Sequence, residues 1–137
     1  MRPQPLIAVH DVEASSRWYQ RLLAGESGHG GPDYERLLVG GQLVLQLHSR
    51  EVEHEHGRIG DPAAGSYGNG VLLWFVTDEF DAAVARATEM AAEVVRAPHR
   101  NPPDSDDGPN HREVWLRDLD GYVVVLASPD GEAGPWP

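Results

Sequence analysis

A chain of 137 residues with 22 acidic and 11 basic side chains carries a formal net charge of −11, which argues against the basic surface that nucleic acid requires. It contains no cysteine, so disulfides, thiolate metal sites and a cysteine nucleophile are excluded. No apolar run reaches the roughly 20 residues of a membrane span, no signal peptide is read at the N-terminus, and one cytoplasmic domain with no nucleic-acid or membrane partner is expected.

In chain order, Pro5 to Val9 is a short apolar run suited to a strand, and Asp11 is placed to cap a helix. Val12, Ser15, Trp18, Tyr19, Leu22 and Leu23 keep helical spacing on one face. Gly25 and the "GHGG" at Gly28 to Gly31 break that pattern. "YERLLVGGQLVLQLH" then reads as two strands around a Gly-Gly turn. Ser49 to Asn69 is polar, rich in Gly, His and Glu, and reads as a connection.

The plan then repeats. "VLLWFVT" is a strand and Asp78 the expected cap. Phe80, Ala83, Val84, Ala87, Met90 and Ala91 form the stripe of a second helix. "EVVRAP" is a short strand, and a Pro- and Asp-rich loop is expected from Pro98 to Asn110. "HREVWL" and "YVVVLA" close the chain as a hairpin across "RDLDG". Val12 and Glu13 superpose on Phe80 and Asp81 at one fixed offset, the signature of two equivalent units. The expected organisation is module one at about 4–48, a linker at about 49–69, module two at about 70–129 and a loose tail at 130–137. The fold class is α+β: two βαβββ modules in pseudo-twofold arrangement, whose free sheet faces can enclose a cup-shaped cavity.

The stretches "LIAVHDVEASSRWYQRLL", "GVLLWFVTDEFDAAVARA" and "WLRDLDGYVVVLASP" resemble the vicinal-oxygen-chelate superfamily, which includes glyoxalases, extradiol dioxygenases, fosfomycin-modifying enzymes and bleomycin-resistance proteins. The family's closing turn is usually Asp-Pro-Asp-Gly. Asp118, Asp120 and Gly121 match it, with Leu119 in place of the proline. The resemblance places the family's four metal ligands on Gln4, Gln46, Leu72 (or Val71) and Val125. Hydrocarbons and neutral amides are not what a divalent cation selects, so metal-independence is expected. By the same resemblance, relatives of this size commonly form homodimers.

Two constellations remain. "HSREVEHEHG" gathers His48, His54 and His56 among glutamates. It reads as a solvated charged loop rather than a designed metal site, because its spacing is irregular and is not the His-Glu-x-x-His helical pattern. In "HREVWL", strand alternation puts His111, Glu113 and Trp115 on one face and Arg112, Val114 and Leu116 on the other. The turn decides which set meets the cavity: a plain four-residue loop aligns Arg112 with Val125, and a bulge swaps the faces.

By resemblance Trp115 and Glu113 face inward with His111 at the edge. Parity adds Trp74, Leu6 and His48, with Gln46 beside them. Indole faces stack flat ligands and attract cations, and Glu113 is the expected polar anchor. His99, Arg100 and Asn101 are expected on a loop that could lid the cavity. No phosphate loop or nucleophile elbow is present. The expected function is metal-independent binding of a flat or cationic small molecule, of the glyoxalase/bleomycin-resistance type. The alternative is a metal-dependent lyase, isomerase or dioxygenase with a divalent metal on His48, His111 and Glu113.

Overall fold

Asp11 sets the start of the first helix. Its Oδ1 accepts the Ala14 amide at 2.9 Å, capping α1 (Val12–Leu23). In this computed structural model, which describes residues 1–61, 63, 68–101 and 111–129, the chain divides into two units, Met1–Tyr67 and Gly68–Pro137. Each is a four-stranded mixed sheet with one helix, so the α+β class and the two-module plan are as expected.

In the first unit β1 (Leu6–Val9), β2 (Glu26–Ser27), β3 (Tyr34–Val39) and β4 (Gln42–Ser49) lie in the order β1-β4-β3-β2. β1 runs parallel to β4, and β3 antiparallel to it. Gly40 and Gly41 hold φ of 57° and 77°, the left-handed pair that a two-residue hairpin demands. Ile7, Val9, Leu37, Leu45 and Leu47 are buried on the sheet, and Val12, Tyr19 and Leu22 on the helix. Each large apolar side chain so buried is worth about 1.5–3 kcal/mol. The opposite face carries Leu6, Tyr34, Gln46 and His48, because Leu6 pairs with Gln46 and Tyr34 with His48.

The second unit repeats the scheme with β5 (Leu72–Val76), α2 (Phe80–Glu89), β6 (Glu93–Asn101), β7 (His111–Arg117) and β8 (Val123–Ala127), in the order β5-β8-β7-β6. α2 starts at Phe80, the position that the fixed offset predicts. Its cap is Glu79 rather than Asp78, and no side chain bonds the first turn. Thr77 Oγ1 accepts the Glu79 amide instead, at 3.1 Å. β6 runs past Pro98 to Asn101. A proline removes one donor but is tolerated at a sheet edge, and β6 is an edge strand, irregular between Val94 and Arg96 and between Arg96 and His99. His99, Arg100 and Asn101 therefore sit on a strand and not on a lid loop. The remainder of the expected loop, 102–110, and the expected tail, 130–137, lie outside the described residues.

The "DLDG" turn is organised by Asp118, whose Oδ1 accepts the amides of Asp120 (2.9 Å) and Tyr122 (2.8 Å). It aligns Trp115, and not Arg112, with Val125. Arg112 turns to the helix side, 2.8 Å from Asp81 and over the Phe80 ring at 4.6 Å. His111, Glu113 and Trp115 consequently occupy the face away from α2.

A buried carboxylate ties α1 to its sheet. Glu35, 2 % exposed, lies on the helix side of β3. It accepts the hydroxyls of Ser16 (2.8 Å) and Ser27 (2.7 Å) and the amides of His29, Gly30 and Arg36. Burial pushes its pKa up, but the bonds from Ser27, Gly30, Ser16 and Arg36 outweigh that and bring it down to about 2. A carboxyl that binds its proton less readily when folded contributes stability above its unfolded pKa and loses it as pH falls through the folded value. For Glu35 this is about 3 kcal/mol, lost between roughly pH 4.5 and 2. Glu35→Gln is expected to lower stability at pH 7 and to flatten the acid limb in that window, as measured by urea unfolding across pH.

Candidate functional site

On the open face of the second sheet the central group is Glu113. It is 1 % exposed, and its oxygens are held by ring N–H groups. Oε1 faces His99 Nε2 at 2.8 Å and Trp115 Nε1 at 3.0 Å, and Oε2 faces His111 Nε2 at 2.8 Å. A carboxylate only accepts, so each ring nitrogen donates. Burial raises the Glu113 pKa, but the bonds from His111, Trp115 and His99, with the charge of His99, outweigh it and hold the carboxyl below its ordinary range.

His99 places its other nitrogen, Nδ1, 2.7 Å from the Ala97 carbonyl. With an acceptor at each ring nitrogen, His99 is held between Glu113 and the β6 backbone. The rings around this carboxylate extend outward. Trp74 meets His111 edge-to-face at 5.8 Å between centroids and is 43 % exposed. Arg96 lies over Trp115 at 5.2 Å.

The expected residues Trp74, His111, Glu113 and Trp115 thus share one face, but with different roles than expected. Glu113 is not an open anchor. It orients His111 and Trp115, and the accessible surface is Trp74. His99 and Arg96 were not among the expected site residues. His99 would have been found had β6 been continued across Pro98, since His99 pairs with Glu113.

The other expected residues, Leu6, Gln46 and His48, lie together in the first unit. Leu6 and His48 line a hollow of about 600 Å³ with His29, Asp33, Tyr34, His54, His56 and Ile59. Gln46 backs it: its Oε1 accepts the Tyr34 hydroxyl and its Nε2 donates to the Gln4 carbonyl at 3.0 Å. His54 and His56 are exposed, as a solvated loop implies, yet they converge on buried His48, with the ligating atoms of all three within 4.8 Å of one another. Of the alternative metal set, His48 lies in the first unit and His111 and Glu113 in the second. His48 bonds His54, whereas His111 and Glu113 bond each other.

The four positions on which the resemblance places metal ligands do not fit a metal ion. Leu72 and Val125 are hydrocarbon strand residues, paired with Val123 and Trp74. The Gln46 amide is engaged at both ends by Tyr34 and Gln4. None of the four is an imidazole or a carboxylate.

The sequence profile of the Glyoxalase/Bleomycin resistance protein/Dioxygenase superfamily matches residues 3–126. The chain belongs to that superfamily. Among solved structures it is similar to a virulence protein from Salmonella typhimurium, at 20% identity and a TM-score of 0.67, over 94% of this chain and 97% of that one. A lactoylglutathione lyase from Agrobacterium tumefaciens matches at 20% identity and a TM-score of 0.68, over 93% and 92%. The fosfomycin resistance protein FosX from Mesorhizobium loti matches at 15% identity and a TM-score of 0.64, over 96% and 93%. These likenesses establish the fold and not an activity. No curated protein matches the sequence significantly. Among the described residues no helix is long and apolar enough to cross a membrane.

Replacing the central carboxylate tests its organising role. Glu113→Gln puts an amide donor against a ring that already donates. It is expected to cost about 1–3 kcal/mol of stability, read by urea unfolding at pH 7, and to change the near-ultraviolet circular dichroism of Trp115.

Proposed function

We propose that the protein binds a flat small molecule on the open face of its second sheet, against Trp74, His111 and Trp115. Glu113 holds those rings in place. The observation that carries this reading is the buried carboxylate whose three donors are all rings on that face. Fixing ring orientation in advance removes the ordering cost of stacking a planar ligand. A cationic ligand is less favoured than a neutral or anionic one, because Arg96 already lies over Trp115. The reading needs no metal at Gln4, Gln46, Leu72 and Val125, and it corresponds to the binding rather than the catalytic members of the superfamily.

A second reading, a metal-dependent lyase, isomerase or dioxygenase, is supported by the convergence of His48, His54 and His56. Metal-stimulated turnover of a glyoxalase or dioxygenase substrate would favour it over simple sequestration. The homodimer belongs to either reading, and a purely monomeric species in sedimentation at micromolar concentration would remove it.

Quenching of tryptophan fluorescence by a panel of planar neutral, anionic and cationic aromatics tests the first reading. At least one member is expected to quench saturably. Trp74→Ala is expected to weaken that binding about two- to tenfold, the equivalent of roughly 0.5–1.5 kcal/mol of ring contact. A panel without any saturable quencher would count against the reading.

A further inference from the structure

We propose that His48, His54 and His56 bind one divalent transition-metal ion, of the Zn²⁺ or Co²⁺ type, outside the family's four ligand positions. The proposal does not depend on the ligand assigned to the second sheet. His48 ends β4 and is 3 % exposed. Its Nδ1 lies 2.7 Å from the Ser49 carbonyl, an acceptor only, so Nδ1 carries the hydrogen and Nε2 presents its lone pair. An imidazole whose outer N–H is fixed by a backbone carbonyl is the form that ligating histidines take.

That lone pair points at a second ligand. His48 Nε2 and His54 Nδ1 are 3.2 Å apart. Two nitrogens at about 2.0–2.1 Å from a tetrahedral ion stand about 3.3 Å from each other, so this pair already has ligand spacing. Without an ion, one hydrogen must sit between them. With an ion, His54 needs only its other tautomer.

The third ring is brought in by a tight turn. The Gly57 amide donates to the His54 carbonyl at 2.9 Å, and Gly57 takes φ of 82°, a conformation that suits glycine. The His56 ring thereby lies 5.1 Å from His48 and 5.6 Å from His54, between centroids. The ligating atoms of all three fall within 4.8 Å of one another. Closing to coordination distance moves only the two exposed rings.

Three neutral imidazoles select a borderline transition ion over Mg²⁺ or Ca²⁺. Three protein ligands leave a fourth tetrahedral position for water or an exogenous donor, beside the hollow lined by Leu6, Tyr34 and Ile59. The net charge of −11 favours cation approach.

The test uses untagged full-length protein stripped with chelator and titrated with Co²⁺, followed by visible absorption. One equivalent is expected to bind with the intense bands of four- or five-coordinate Co²⁺, and Zn²⁺ is expected to displace it. Loss of an outer partner alone weakens metal sites 10–100-fold, so His54→Ala and His56→Ala should each weaken binding at least tenfold. His10→Ala should match wild type. Where His48→Ala departs from wild type in circular dichroism, the two exposed variants decide the question alone. Less than a tenth of an equivalent bound, a weak six-coordinate spectrum, or wild-type affinity in either His54→Ala or His56→Ala overturns the proposal.

Discussion

A charge with almost no access to water must find its hydrogen bonds inside the protein, and two buried glutamates impose that constraint here. Glu35 on β3 and Glu113 on β7 occupy corresponding strands of the two sheets. Gln46 and Val125 mark the corresponding positions in register, since each pairs with the first strand of its sheet, at Leu6 and Trp74. Counted from those positions, Glu113 corresponds to Tyr34 rather than to Glu35. The two carboxylates are thus one residue out of phase and face opposite sides of their sheets. Glu35 meets Ser16 and fastens a helix. Glu113 meets His99, His111 and Trp115 and arranges a surface of rings. A repeated module has diverged by placing the same chemistry on different faces.

The elements were largely legible because local signals agreed with packing. Asp11 before the Val12 stripe, Gly40-Gly41 between alternating strands and Asp118 with Gly121 in the last hairpin each specify a geometry that the structure adopts. The errors arose where local chemistry was weak or overridden. Asp78 is a good capping residue, but Thr77 already supplies the oxygen at that turn. Pro98 reads as a strand end, yet an edge strand can continue past it. β2, two residues long, has no periodicity to detect.

The site was legible as a set of residues and not as a set of roles. Alternation placed His111, Glu113 and Trp115 on one face and the family resemblance added Trp74, but neither could reveal that the donors to Glu113 would be three rings. Burial and hydrogen-bond partners arise from strands distant in sequence. The same limit applied to His54 and His56. Their spacing resembles no ligand motif, and only the turn closed at Gly57 brings them to His48.

The irregular edge of the second sheet carries a consequence of its own. An unpaired strand border is a template on which a further chain can add by backbone bonding, the route to fibrils. Among the described residues β6 is such a border, and it exposes Val94 and Val95. Pro98 deletes one donor from it, the irregularities around Arg96 interrupt its repeat, and Arg96 and Arg100 add like charges. The proline that obscures the strand in the sequence also guards the folded protein against self-templated aggregation.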